Sequence, residues 1–213
     1  MFTAALHNIP ELSTHPASLF ALGGVLLLIF LFLHIRRIRF TPAMLVYIGL
    51  MLALTILLHQ LRLYHMPQGG SITCGAMIPL LLIAYRYGSG IGCLTGFLYG
   101  LINLLQDPYV LHPVQVLFDY PLPYMALGLA AFWPSRRWLA TLLAFGGRFC
   151  CHVISGIIFF GSYAPAGTSP VLYALTFNAA YLVPEFIICF AILRILPVER
   201  LLAAMDRSDM RCD

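Results

Sequence analysis

Lysine is absent from all 213 residues, and charged side chains of every kind make up only 9% of the chain. A soluble domain runs near a quarter charged, so a surface this poor in charge excludes an ordinary water-soluble globule. Cysteine is present without any CxxC spacing or loop framework. Five of the six, Cys74, Cys93, Cys150, Cys151 and Cys189, fall within apolar segments, and only Cys212 lies outside them. That pattern speaks for packing residues rather than disulfides or metal ligands. The opening stretch MFTAALHNIPELSTHP has no basic n-region, and no small-x-small cleavage site follows the first apolar run. A retained helix is therefore expected there, not a signal peptide. No repeat of fixed period and no low-complexity tract occurs, and inverted-repeat symmetry of the transporter type is not evident.

Apolar residues dominate, at 61% of the chain. A spanning helix takes about 20 residues, so this share fills six or seven spans with short loops between them. Seven are expected, over 17–34, 42–61, 72–86, 90–105, 114–133, 138–160 and 171–196. The fold class that follows is all-α, a single polytopic membrane helical bundle. Arg36, Arg37 and Arg39 follow the first span, Arg86 ends the third, Arg136 and Arg137 end the fifth, and Arg200 follows the last. Those positions all fall on one side if the number of spans is odd. The positive-inside rule makes that side the cytoplasm, with the N-terminus outside and the C-terminus inside. Such arginines are a topology signal, not a nucleic-acid patch. The opposite loops, 62–71, 106–113 and 161–170, contain Arg62 alone, and they collect aromatic and turn residues that suit a roof over a site.

Away from the ends of the spans, Asp119, Arg148 and Glu185 remain at membrane depth, with His152 beside them. Each costs several kcal/mol unless paired or wetted. One cation against two anions leaves a vacancy that a monocationic ligand would fill. Arg148, His152, Gly156 and Phe160 recur every four residues and form one stripe on the sixth span. Gly156 either opens a slot for a flat group or lets two helices approach closely. Asn178 and Glu185 are seven apart and share a face, with Glu185 roughly 10 Å deeper. Depth makes Glu185 the expected mate of Arg148 and leaves Asp119 free to meet a cation. Tyr64, Tyr109, Tyr120, Phe160, Tyr163 and Tyr173 gather at the outer ends of spans. Such rings form an interfacial belt or stack on a cation. A flat, cationic, polar-edged ligand is the expectation.

Three segments then resemble a known family, the thiamine-specific S-components of energy-coupling-factor vitamin transporters. They are MPQGGSITCGAMIPLLLIAYRYG from 66, HPVQVLFDYPLPYMALGLA from 112, and RFCCHVISGIIFFGSYAPAGTSPVLYALTFNAAYLVPE from 148. The resemblance implies a six-helix thiamine-binding domain over 41–200, preceded by a segment 1–40 with one extra transmembrane helix and followed by a cytoplasmic tail 201–213. It implies a non-enzyme of the bacterial cytoplasmic membrane, with no cofactor, that binds thiamine with high affinity in an outward-facing cavity. Import in that family requires a transmembrane coupling subunit and two ATPase subunits, and the family's small-xxx-small pair on the first core helix is matched by Gly49 and Ala53. By position, Asp119 resembles the acidic residue that faces the thiazolium ring, followed by Tyr120. His152 and Gly156 resemble the histidine of the site and the glycine one turn on. Tyr173 and Asn178 resemble the pair that bonds the aminopyrimidine, and Tyr109 a rim tyrosine. Phe160 and Tyr64 stand where the family pattern has tryptophans, which reduces stacking area. Two other functions compete with this one, an ion-coupled vitamin permease and an intramembrane enzyme using His152 and Asp119. No metal-ligand spacing, nucleophile elbow or phosphate loop favours the enzyme.

Overall fold

The computed structural model describes residues 16–36, 38–133 and 135–209. Its elements are α1 (Pro16–Ile35), α2 (Pro42–Gln60), a small antiparallel hairpin of β1 (Arg62–His65) and β2 (Ser71–Thr73), α3 (Ile78–Gln106), α4 (Pro113–Asp119), α5 (Pro121–Met125), a 3-10 stretch (Ala126–Phe132), α6 (Arg137–Phe159), α7 (Pro170–Ile195) and α8 (Val198–Asp209). Four of these, α2, α3, α6 and α7, are long and apolar enough to cross a bilayer, and Leu19–Ile35 is a shorter apolar helix. Large side chains such as Leu26, Phe30, Val46, Leu57 and Ile187 lie open on their outer faces. A contiguous apolar surface of this kind belongs in lipid.

Helix starts follow local chemistry. Pro42, Pro113 and Pro170 each open a helix where the missing N–H costs nothing. Thr41 and Ser169 accept from the backbone N–H of Met44 and Leu172, each at 3.2 Å. His112 and Gln115 form a reciprocal cap on α4.

α3 is not one crossing. Gly88 has φ 85° and ψ 178°, and there the chain reverses. A Cβ on Gly92 would lie 2.9 Å from the Cα of Ala84, a closeness that a straight helix forbids between residues eight apart. The two legs, 78–87 and 89–106, therefore run back to back. Only glycine takes that φ without strain.

The expected span 114–133 is broken. Pro121 and Pro123 cannot donate to the carbonyls of Leu117 and Asp119, so α4 stops and α5 and the 3-10 stretch follow as short pieces. The second leg of α3 receives these pieces through Gly92, Gly96 and Gly100. A Cβ on Gly96 would overlap the Tyr124 carbonyl oxygen, and one on Gly100 would sit 2.5 Å from that of Tyr120. Backbone lies on backbone here, as small residues permit between membrane helices.

The main core gathers Leu80, Leu81, Tyr99, Tyr124, Leu127 and Phe145. α1 packs on α3 and α4, where Leu31 joins Phe118, Leu122 and Met125. Residues 201–209 continue α8, an amphipathic helix that buries Val198 and Met205 on the bundle. Arg86 pairs with Asp206 at 2.8 Å and Arg137 with Glu199 at 2.5 Å, pinning α8 to the ends of the spans.

Candidate ligand-binding site

One end of the bundle holds a cavity of about 840 Å³, its open mouth included. Aromatic walls with a few convergent polar groups suit a small organic ligand. Its mouth is aromatic. The rings of Tyr109 and Phe160 stack at 5.8 Å, and Tyr163 tilts against Phe160 at the same distance. The hydroxyls of Tyr109 and Tyr163 share a hydrogen bond of 3.1 Å, which raises the Tyr109 phenol above its ordinary value.

The tip of the β-hairpin closes a second side. Met66 N–H donates to the Gly70 carbonyl and Gly69 N–H to the Met66 carbonyl, with Gly69 and Gly70 at φ 88° and 92°. Any Cβ on Gly70 would lie 2.8 Å from Cζ of Tyr181, so the tip rests directly on that ring. Glycine is needed both for the left-handed backbone and for the contact.

Asp119 sits at the break between α4 and α5, where proline has freed the chain to turn. Gln115, four residues earlier on the same face, donates to one carboxylate oxygen at 2.7 Å. His152 meets the other at 3.3 Å through Nδ1. Gln115 also donates to the Tyr109 carbonyl and accepts from Leu111 N–H. Tyr120 donates to the Asp107 carbonyl at 2.8 Å and accepts from Tyr109 N–H at 2.7 Å. Together these fix the 106–113 loop above the carboxylate. If Nδ1 carries the proton toward Asp119, the other imidazole nitrogen is left as an acceptor. Nε2 of His152 is buried without a partner among the described residues.

Asn178 donates to the carbonyls of Ala174 at 2.8 Å and His152 at 3.3 Å, and its side-chain oxygen accepts from Tyr181. An amide oxygen takes two such bonds, so one acceptor direction remains. Gly156 lines the cavity and lets α6 and α7 touch as well, since a Cβ there would lie 2.8 Å from the Ala174 methyl. Tyr173 lines the same wall and tilts against Phe177.

Beneath lies a polar floor. The Arg148 guanidinium covers the Tyr124 ring at 4.6 Å, and Tyr124 donates to Asn103 at 3.0 Å. Asn103 approaches His59 at 3.4 Å, and His59 bonds the Tyr99 hydroxyl. The expected pairing of Arg148 with Glu185 is corrected here. Glu185 instead accepts from Thr73, at 2.5 Å from the backbone N–H and 2.6 Å from the hydroxyl. The end of β2 dips into the bundle and satisfies the carboxylate directly, while Arg148 rests on an aromatic face.

The structure thus brings Tyr109, Asp119, Tyr120, His152, Gly156, Phe160, Tyr173 and Asn178 to one cavity. Tyr64 it does not. That residue lies on β1 with 56% of its surface exposed, outside the cavity lining. Sequence reasoning misses Gln115, His59, Asn103, Tyr124 and Tyr181. The four-residue step from Gln115 to Asp119 and the three-residue step from Asn178 to Tyr181 are the signals that could have found two of them. No cluster of metal-ligating side chains occurs among the described residues.

Comparison with known proteins agrees in extent and in fold. Residues 45–204 match the family described as Thiamine transporter protein (Thia_YuaJ). The chain is 40% identical over 148 residues to the thiamine transporter ThiT of Bacillus subtilis, covering 62% of this chain and 77% of that protein. It is 30% identical over 122 residues to ThiT of Lacticaseibacillus paracasei, covering 48% and 61% respectively. A solved structure of ThiT from Listeria monocytogenes superposes with a TM-score of 0.65 at 22% identity, covering 78% of this chain and 96% of that one, and shows the same fold. The family match spans the cavity, the hairpin and all but the first residues of the four long helices, and it stops short of α1. The chain belongs to the thiamine transporter protein family, a family of membrane transport proteins rather than enzymes.

Proposed function

We propose that this chain is the thiamine-capturing subunit of an ATP-driven importer of the energy-coupling-factor type, binding free thiamine with high affinity. The observation that carries the reading is Asp119, a carboxylate held by Gln115 and His152 inside an aromatic-mouthed cavity. Thiamine is a monocation with two flat rings, and both of its features have a counterpart. Asp119 neutralises the thiazolium in a site of low dielectric, where the charge pair counts for more than in water. Phe160, Tyr109 and Tyr173 offer ring faces to the cation and its rings. Nε2 of His152 and the remaining acceptor direction of Asn178 suit the donors of an aminopyrimidine.

The hairpin tip at Gly69 and Gly70 supplies a cover whose seat, Tyr181, belongs to the binding wall. Capture then excludes water from the charge pair. At the mouth, Arg62 is already held by Asp107 at 2.7 Å, so it offers little to a phosphate ester. Free thiamine is the preferred ligand over its pyrophosphate.

Coupling fits the open face of α2. A Cβ on Gly49 would meet nothing within 4 Å, and Ala53 is exposed one turn on. α1 packs on α3 and α4 and leaves this small-residue face to a membrane partner. On this reading the cavity lies outside, the arginine-rich ends lie in the cytoplasm, and a coupling subunit with two ATPases works from the inner side.

Calorimetric titration of the purified chain with thiamine, thiamine pyrophosphate, riboflavin and biotin tests the capture step. Nanomolar binding of thiamine, weaker binding of its pyrophosphate and none of the other two is expected. Tighter binding of the pyrophosphate, or of riboflavin or biotin, contradicts the site. Uptake into vesicles that persists without ATPase subunits contradicts the coupling.

A further inference from the structure

The end of the bundle opposite the cavity carries a second concavity that thiamine capture does not use. It is an open groove of about 1240 Å³ between the start of α6, the end of α7 and the start of α8. Arg136, Arg137, Arg194 and Arg200 line it against a single carboxylate, Glu199. Glu199 is taken by Arg137 at 2.5 Å. Arg136, Arg194 and Arg200 are exposed and make no ion pair with any described residue.

Further features converge on the same place. α6 begins at Arg136 with no side-chain cap and no acidic residue in its first turn, so its N–H groups add to the positive field. Both tryptophans of the chain are here. Trp138 lines the groove and Trp133 precedes it, each about half exposed. Tryptophan settles at headgroup level in a bilayer, which is the depth of lipid phosphates. Phe190 and Leu193 give the groove an apolar wall, and exposed apolar side chains lie further along both helices toward the membrane centre. Leu142 lies one turn beyond Trp138 on α6, and Ile187 lies two turns before Arg194 on α7.

We infer that this groove binds an anionic phospholipid, its phosphodiester held by Arg136, Arg194 and Arg200 and its acyl chains laid along Leu142 and Ile187. Guanidinium groups suit phosphate by bidentate geometry, and basic pockets between helices on the cytoplasmic side hold anionic headgroups. The positive-inside rule asks only that arginines lie on this side, as Arg36 and Arg39 do without lining the groove. A concavity that gathers uncompensated guanidiniums beside tryptophan and an apolar slope asks for an amphiphile. Free phosphate would leave the slope unused.

Native mass spectrometry of the full chain, released from mixed detergent micelles holding equal phosphatidylglycerol and phosphatidylcholine with identical acyl chains, tests this. Retention of phosphatidylglycerol over phosphatidylcholine by about tenfold is expected, and it should survive about 10 mM inorganic phosphate. The variant Arg136→Gln/Arg194→Gln/Arg200→Gln should bring the two lipids near parity, whereas Arg36→Gln/Arg39→Gln should keep the preference. Thiamine titration of each variant reports that the bundle is intact. Parity in the wild type overturns the inference without recourse to any variant. So does an undiminished preference in the triple variant, an equal loss in the Arg36/Arg39 variant, or displacement of the lipid by inorganic phosphate alone.

Discussion

The two ends of the bundle use arginine in opposite ways. At the cavity end, Arg62 is neutralised by Asp107, and the chemistry rests on a carboxylate, phenols and amides. At the other end, Arg86 and Arg137 tie down α8, and Arg136, Arg194 and Arg200 form no ion pair with any described residue. A site for a cation has to be kept free of competing cations, and an end anchored in an anionic interface does not. The contrast teaches that charge is sorted between the two ends of the bundle, with the proposed capture site at one end and the proposed lipid groove at the other. Between them Arg148 is shielded by the Tyr124 ring instead of a carboxylate, so it leaves Asp119 available.

The strongest blow to the capture end short of its carboxylate is Gly70→Ala. It combines a left-handed backbone with a Cβ 2.8 Å from the Tyr181 ring, a strain of about 2 kcal/mol. A loss of roughly 30-fold in thiamine affinity is expected by calorimetry. The melting temperature should change little, because the hairpin tip is local. An unchanged affinity would separate the hairpin from capture. Next comes the pair Phe160→Ala and Tyr64→Ala. Removing the stacked, buried Phe160 should cost thiamine about tenfold, and removing the exposed Tyr64 less than about twofold. A larger loss at Tyr64 would mean that β1 turns its outer face to the ligand. Smallest is Arg137→Gln at the other end. Its ion pair is with a Glu199 side chain that is 81% exposed, so thermal stability should fall by no more than about 1 kcal/mol. Thiamine affinity should not move, and a change there would show that the ends are coupled through α6.

Much of this architecture is legible in the sequence. Hydropathy marks the long helices, and arginine spacing separates the two ends. The step of four from Arg148 to Phe160 orders the floor, wall and mouth of the cavity along α6. What escapes has physical reasons. Helical spacing says which residues share a face but not what lies opposite, so it matches Glu185 with Arg148. The true partner, Thr73, is 112 residues away in sequence, on a strand too short to carry a period. Pro121 and Pro123 are visible, yet the apolar run around them reads as one span, because hydropathy ignores the carbonyls that proline leaves unbonded. Tyr64 is placed by position beside a motif, whereas on β1 Leu63, Tyr64 and His65 are all exposed. The docking of α8 is not visible to hydropathy because its charges lower its mean value, while Val198, Leu202 and Met205 form a stripe that docks.

The most direct measurement compares wild type with Asp119→Asn by titration with thiamine and with a neutral aminopyrimidine analogue. On the proposed reading the carboxylate faces the thiazolium, so thiamine should lose at least about 100-fold, near 3 kcal/mol, and the neutral analogue less than about threefold. Equal losses for the two ligands would contradict this, and would leave Asp119 as a support for His152 and Gln115 rather than the cation's partner.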